Sequence, residues 1–301
     1  MKILLLGKNG NLGRGIFHAL NQQNEFELIA PNRNELDLTN RVKTTEYVAT
    51  IKPYAVINSA TYTTNKSTHA NEAIKISETN LEISNNLQFA SRESEVFKYI
   101  DIGSASIYEC FPKRVILEND FQEINNHMPI LPYAKAKLIS TKQTIAQDSS
   151  EFSWISLILP YIISFNKENL NETSGLFARI SKQVSQNVNK DIQSVLLEKY
   201  DLAIKRQFVH SVDVGNFCKF LVENDFINGL VHMPKLQQMS LNYFIQKHLE
   251  KTSINYDKSF NYTSEHCQHP ELGSKWDNLI NFNYKFTPER CVESLQSNEI
   301  K

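Results

Sequence analysis

The chain of 301 residues is 41% hydrophobic and 22% charged, with 32 Lys and Arg against 33 Asp and Glu and a formal net charge of −1. That composition excludes a disordered chain, and it leaves no basic field for sequence-independent nucleic-acid binding. The longest apolar stretch, Trp154 to Phe165, is broken by Ser156, Pro160 and Ser164 and falls short of the ~20 residues a membrane-spanning helix needs. Four isolated cysteines, Cys110, Cys218, Cys267 and Cys291, form no Cys-x-x-Cys pair. They fit a reducing, cytoplasmic setting better than a disulfide scaffold or a zinc site.

In chain order, Lys2 to Leu6 is a short continuous apolar run, as expected of a strand buried on both faces of a parallel sheet. Leu12, Ile16, Phe17 and Leu20 follow at helical spacing. Glu27 to Ala30 predicts a second strand, Lys43 to Ile51 a helix stopped by Pro53, and Ala55 to Asn58 a third strand. A helix over 69–91 and a strand over Phe97 to Ile102 come next. Pro132 marks a helix start for Tyr133 to Ala146, and Trp154 to Leu159 is the fifth strand. This alternation predicts an α/β fold with a Rossmann-type doubly wound parallel sheet.

Regularity fades beyond Pro160, with a helix expected around Leu176 to Val184. Phe208 to His210 and Leu230 to His232 predict short strands around a helix, Val214 to Glu223. Two or three further elements are expected after Ser240. Residues 1–160 with about 208–233 are therefore expected to form the first domain, and 161–207 with 234–301 a smaller second lobe.

Glycine is scarce, nine in the chain, yet four of the nine are Gly7, Gly10, Gly13 and Gly15. Gly7-Lys8-Asn9-Gly10-Asn11-Leu12-Gly13 is a Gly-x-x-Gly-x-x-Gly turn between a strand and a helix. In that context, backbone without Cβ brings amides and a helix N-terminus against a pyrophosphate, which predicts dinucleotide binding. After the second strand, an acidic residue suits the ribose 2′-OH of NAD and a cation suits the 2′-phosphate of NADP. The residues there are Pro31-Asn32-Arg33-Asn34, with Lys8 nearby. Arg33 and Lys8 favour NADP(H), while Glu35 keeps NAD(H) open.

Tyr133 and Lys137 stand one helical turn apart on one face. A phenol titrates near pH 10, and an adjacent ammonium favours its anion, a pairing suited to proton transfer. Tyr62/Lys66 and Tyr243/Lys247 share the spacing. Tyr62 comes too soon after the third strand, and Tyr243 lies in the C-terminal lobe. Tyr133 alone opens a helix downstream of a strand that runs into serines, Ile102-Gly103-Ser104-Ala105-Ser106-Ile107-Tyr108. Ser104, at the C-terminal end of that strand, is placed where open α/β sheets bind ligands. Ser104, Tyr133 and Lys137 are the candidate catalytic residues.

With these motifs in hand, the chain resembles the extended short-chain dehydrogenases/reductases, the NAD(P)-dependent nucleotide-sugar epimerase, dehydratase and reductase group. The similarity runs from Met1 to about residue 223 and is carried by five places. They are the glycine turn, Arg33-Asn-Glu-Leu-Asp-Leu, Val56-Ile-Asn-Ser-Ala60, Gly103-Ser-Ala-Ser-Ile-Tyr108 and Pro132-Tyr-Ala-Lys-Ala-Lys137. Arg206-Gln-Phe-Val-His-Ser-Val-Asp213 is similar to an Arg-x-Phe segment of the group. Within the family, the N-terminus is similar to dTDP-4-dehydrorhamnose reductases, and the surroundings of Ser104 and Arg33 to GDP-fucose synthases.

The resemblance implies that Gly7, Gly10 and Gly13 hold the pyrophosphate and Arg33 the 2′-phosphate. Asp37 and Leu38 would border the adenine, and Ser59, Ala60 and Thr61 the cofactor's inner ribose. Ser104 and Tyr133 would polarise and protonate a sugar oxygen, Lys137 would also bind the nicotinamide ribose, and Ser106 and Arg206 would meet a nucleotide-sugar substrate. A homodimer is implied through the two long helices, 69–91 and 133–147. Departures from the pattern matter too. Ile162-Ile163-Ser164 replaces the family's Tyr-Gly-Pro. The Cys and His that act as the epimerising pair in GDP-fucose synthases fall on Ser106 and near Gly175, so 3,5-epimerisation is not expected. The expected activity is NADPH-dependent reduction of a nucleotide-linked 4-keto-6-deoxy sugar. A nucleotide-sugar 4-epimerase and a non-catalytic NAD(P)-binding scaffold are the alternatives.

Among other groups, the run His266-Cys267-x-His269 reads as polar surface, and no metal site is expected. Glu118 and Asp120 read as a solvated loop, and Trp154 and Trp276 as packing aromatics.

Overall fold

The computed structural model describes residues 1–22, 25–62, 70–164, 205–250 and 271–296. The strands of the first half are β1 Lys2–Leu6, β2 Glu27–Ile29, β3 Ala55–Asn58, β4 Lys98–Ser104, β5 Val115–Ile116 and β6 Ser153–Leu159. Its helices are α1 Asn11–Asn21, α2 Arg41–Ile51, α3 Ala70–Glu93 and α4 Pro132–Ile145. Then come β7 Tyr161–Ile163, β8 Lys205–His210, α5 Ser211–Glu223, β9 Gly229–His232, β10 Gln237–Ser240, α6 Leu241–Leu249, β11 Glu271–Leu272 and α7 Pro288–Gln296.

Six strands form one parallel sheet in the order β2-β1-β3-β4-β6-β9. Strand alternation divides its apolar side chains between two cores. Ile3, Leu5, Ala55, Ile57, Ile100, Ile102, Ile155 and Leu157 face a cluster completed by α1 and α5. Leu4, Leu6, Val56, Tyr99 and Trp154 face the opposite one, closed by Val48 of α2 and by Ile83, Leu87 and Ala90 of α3. Helices on both faces explain why these strands read as unbroken apolar runs. The doubly wound fold is thus present as expected, with β9 joining as its sixth strand.

The chain leaves β1 toward β2 on one side and returns to β3 on the other, so the direction of winding reverses between β1 and β3. Such a switch point opens a crevice at the carboxyl ends of the strands. Beyond the main sheet lie a three-stranded sheet, β10-β8-β7, and a two-stranded one, β11-β5.

Several expectations change. β4 extends past Ile102, so Ser104 is still paired in the sheet, opposite Leu159 of β6. Glu118 is not solvated. It is 5% exposed, and its carboxylate accepts from His232 N (3.1 Å), Ser274 Oγ (2.9 Å) and Lys275 N (2.9 Å). Asp120 stays at the rim, accepting from Lys113 Nζ and Leu117 N. Trp154 is a core residue against Tyr99, with ring centroids 4.7 Å apart, and Trp276 packs half-buried on the α1–α5 core. The helix expected near Leu176 to Val184, Gly175 and the run from His266 to His269 lie outside the described residues. Among the described residues, no helix is long and apolar enough to cross a membrane, and no cluster of His, Cys, Asp or Glu is placed to hold a metal.

Candidate active site

The glycine turn is built from backbone constraints. Gly7 has φ +87°, a conformation costly for any side chain, and a Cβ there would lie 2.6 Å from Ala60 N. A Cβ on Gly13 would lie 1.9 Å from Gly7 O. Gly7 and Gly13 therefore answer to the protein's own packing. Gly10 differs: a Cβ there would meet nothing closer than Gly7 O at 3.4 Å. The space in front of Gly10 faces the cleft. It is the cradle a ligand's phosphates need and a side chain would fill. Gly10 is also the N-cap of α1, whose first turn has neither a side-chain cap nor an acidic residue, so the amide end of the helix stays open to an anion. Gly15, by contrast, serves packing, its Cα lying against Ser211 of α5.

In front of this turn opens a cleft of about 690 Å³ at the switch point. Lys8, Asn9, Gly10, Asn11 and Leu12 line it with Gly7, and Gly13 sits just beneath. Arg33, Asp37 and Leu38 line its outer end, and Ser59, Ala60 and Thr61 its floor. Ser59 Oγ donates to Leu6 O (2.6 Å), locking the end of β3 to the end of β1. The two acidic groups of the outer loop are exposed and bond within that loop. Glu35 accepts from Asn32 N at 2.6 Å. Asp37 accepts from Thr39 Oγ1 (2.8 Å) and Thr39 N (3.1 Å). Those bonds from Thr39, helped by the Arg33 charge, hold its carboxyl below the usual carboxylate range. Arg33 lies over the ring of Tyr62, 5.5 Å from its centroid.

At the inner end, Ser104, Tyr133 and Lys137 line the same cleft. Pro132 starts α4, so Tyr133 enters the first turn, 37% exposed. Lys137, one turn on, donates from Nζ to Ile102 O at 2.7 Å. Ser104 Oγ accepts from Ser106 Oγ (2.9 Å) and Ser106 N (3.3 Å), capping a short 3-10 turn over 105–108. The competing Tyr243 sits elsewhere. Burial and the Glu289 carboxylate it bonds to push its phenol up to about 12. Lys66 lies outside the described residues.

Ser106 and Arg206 do not line the cleft. Ser106 stands behind Ser104. Arg206, on β8, donates to the hydroxyl of Tyr161 at 3.2 Å, and Tyr161 does line the cleft. Sequence reasoning missed Tyr62, Thr79 and Tyr161 among the lining residues. The signal for Tyr62 was present in its place just past a strand's carboxyl end. Thr79 and Tyr161 carry no local signal. Reasoning from the sequence also missed Asn80, which clamps the loop after β3 by accepting from Tyr62 N (2.7 Å) and donating to Tyr62 O (3.0 Å).

Residues 3–229 match the family described as "NAD dependent epimerase/dehydratase family". The chain is 25% identical over 237 residues to GDP-L-colitose synthase of Yersinia pseudotuberculosis, covering 74% of this chain and 73% of that protein. Among solved structures it is similar to a GDP-D-glycero-L-gluco-heptose synthase from Campylobacter jejuni, determined in the presence of NADPH. There the TM-score is 0.76 at 15% identity, with 98% and 97% of the two chains covered. It is also similar to WbmG of Bordetella bronchiseptica in complex with NAD and UDP, with a TM-score of 0.73 at 14% identity over 98% and 93% of the chains.

Proposed function

The chain belongs to the NAD dependent epimerase/dehydratase family, within the extended short-chain dehydrogenases/reductases, and is an NAD(P)-dependent enzyme; from that premise we propose that it reduces the 4-ketone of a nucleoside-diphosphate-linked 4-keto-6-deoxy sugar with NADPH. The observation that carries this reading is the continuity of one cleft, from the phosphate turn and Arg33 to Ser104, Tyr133 and Lys137. When bound, the reduced nicotinamide supplies a hydride to the carbonyl carbon. Tyr133 donates the proton to the carbonyl oxygen. Ser104, whose Oγ already accepts twice from Ser106, directs its own hydroxyl proton to that oxygen. Lys137 holds the nicotinamide ribose and steadies the phenol. Gly10 and the α1 amides hold the pyrophosphate, while Lys8 and Arg33 meet the 2′-phosphate. Lys8 and Arg33, both lining the cleft, support NADPH over NADH.

Residues 161–207 and 234–301 form the substrate side in this reading, with Arg206 reaching the substrate's diphosphate beside Tyr161. GDP is the first nucleotide to test, since the colitose and heptose synthases both carry it in their names. A homodimer through α3 and α4 is supported by Ile74, Phe89 and Ile139, which are exposed on those helices.

The test is NADPH consumption by the purified protein against GDP-, dTDP-, CDP- and UDP-linked 4-keto-6-deoxy sugars, with NADH in parallel. Turnover on one member is expected, falling by roughly 10²–10⁴-fold in Tyr133→Phe while NADPH affinity stays within about threefold. Folded protein that binds NADPH and turns over no member of the panel overturns the reading. Interconversion of a UDP-hexose by protein carrying NAD would replace it with 4-epimerisation.

A further inference from the structure

The reaction above gives one aromatic residue of the cleft no role. Tyr62 follows the end of β3 and lines the cleft with Arg33. Arg33 sits on a loop whose backbone is fixed around it. Asn32 Oδ1 accepts from Asn34 N (2.8 Å) and Glu35 N (3.2 Å), and the Glu35 carboxylate accepts from Asn32 N (2.6 Å). The Arg33 side chain itself is exposed, and among the described residues it forms no salt bridge. Its partner is the ring of Tyr62, 5.5 Å from the guanidinium carbon to the centroid. A guanidinium drawn to an aromatic ring uses no N–H on the contact, so its donors stay available to fork onto a phosphate.

Tyr62 is held in turn. Asn80 of α3 accepts from Tyr62 N (2.7 Å) and donates to Tyr62 O (3.0 Å), the two-point pairing a neighbouring strand would give. Farther along α3, the buried Asn86 donates from Nδ2 to Leu38 O (3.0 Å) and Thr39 O (3.1 Å), on the loop that carries Arg33. One helix therefore ties down both loops that meet at the Arg33–Tyr62 contact. The ring also packs, half-buried, against the core that holds Leu4 and Val56. An exposed arginine without such support spreads over many rotamers, and a phosphate would have to order it on binding.

We propose that Tyr62 is a specificity-determining residue for the cofactor, its ring holding the Arg33 guanidinium in place for the 2′-phosphate of NADPH, with Asn80 as the positioning residue of that ring. NADH carries a hydroxyl at the same place and draws no benefit from an ordered cation. The preference for NADPH then belongs to a pair and its clamp rather than to Arg33 alone. The inference rests on reading the cleft as an NADPH site, and its test needs no sugar.

The test is calorimetric titration of the full-length protein with NADPH and with NADH, in a double-mutant cycle. Tyr62→Leu, which keeps apolar bulk and removes the ring, should weaken NADPH about threefold and leave NADH unchanged. Tyr62→Phe, which keeps the ring, should match wild type with both. In an Arg33→Ala background, Tyr62→Leu should weaken NADPH no further. Asn80→Ala should lower the affinity ratio of NADPH to NADH in the same sense. Tyr62→Met carries the expectation of Tyr62→Leu should leucine not be tolerated. Equal loss of both cofactors in Tyr62→Leu, or the same NADPH loss with and without Arg33, makes the ring a wall of the cleft and overturns the proposal. Wild-type protein that binds NADH as tightly as NADPH overturns it too, and an unchanged ratio in Asn80→Ala overturns the part given to Asn80. Because the titrations are independent of substrate, silence across the sugar panel would sink the reductase reading alone.

Discussion

The glycine turn and the seat of Glu118 both fix backbone amides, by opposite means. At the turn, the amides are aimed by chain conformation, with Gly7 also packed on Ala60 beyond β3. Gly7 takes a left-handed φ, Gly10 N closes back on Gly7 O at 3.0 Å, and Gly13 packs on that same carbonyl. The contacts of Gly10 and Gly13 with Gly7 lie within seven consecutive residues. At Glu118, one buried carboxylate gathers His232 N, Ser274 Oγ and Lys275 N from 114, 156 and 157 positions away. Asp213 at the start of α5 does likewise, accepting from Lys285 N (2.8 Å) and Phe286 N (3.1 Å). Burial pushes that carboxyl up even as the two amides oppose the shift. The turn thus leaves its charge-binding capacity for a ligand, whereas at the carboxylate seats the protein's own anions consume it. A proposed ligand site and a tail anchor use the same amide chemistry with the partners exchanged.

The comparison breaks most visibly at the glycines. Gly13→Ala drives a methyl into Gly7 O and should cost about 3 kcal/mol or more, with cofactor binding lost. Gly10→Ala should leave stability within ~0.5 kcal/mol yet weaken NADPH binding at least about tenfold. Thermal denaturation beside a cofactor titration separates them, and equal stability losses would refute the distinction. Glu118→Gln sets an amide donor against amide donors and should cost about 2–3 kcal/mol. NADPH affinity should stay within about twofold, since the seat lies off the cleft; denaturant unfolding and the same titration read both.

Smaller effects sharpen the contrast. Arg33→Ala should weaken NADPH about tenfold, ~1.4 kcal/mol, and leave NADH nearly unchanged, as isothermal titration would register. His210 tests the tail side through pH. Its ring stacks on Phe286 at 3.6 Å, and its Nδ1 accepts from Val212 N at 3.2 Å. Burial, with a lesser push from His18, lowers its folded pKa from 6.5 to about 3. Its contribution is therefore full above pH 6.5 and is lost as the pH falls toward 3, because the unfolded chain takes the proton first. At pH 5.5 the loss should be about 1 kcal/mol relative to pH 7. His210→Asn, which keeps an acceptor for Val212 N, should remove that slope from a stability-against-pH series.

By itself the amino-acid sequence determined the strand–helix alternation, the glycine turn, the Tyr133–Lys137 spacing and Ser104 at a strand end. Each depends on contacts or periodicities a few residues long, and local chain geometry is written where those residues stand. The doubly wound sheet followed because apolar runs without alternation must be covered on both faces. Tertiary structure alone decided the burial of Glu118, whose sequence neighbours look like a polar loop. It decided that Asp101, in a largely apolar strand, meets Ser140 and shares a cavity with Lys137. Tertiary packing likewise brought Tyr62 under Arg33 and Tyr161 against Arg206. Those pairings join segments far apart in the chain. The partners of a buried polar group are chosen by the packing that excludes water from it, and no local pattern encodes which distant donor will arrive.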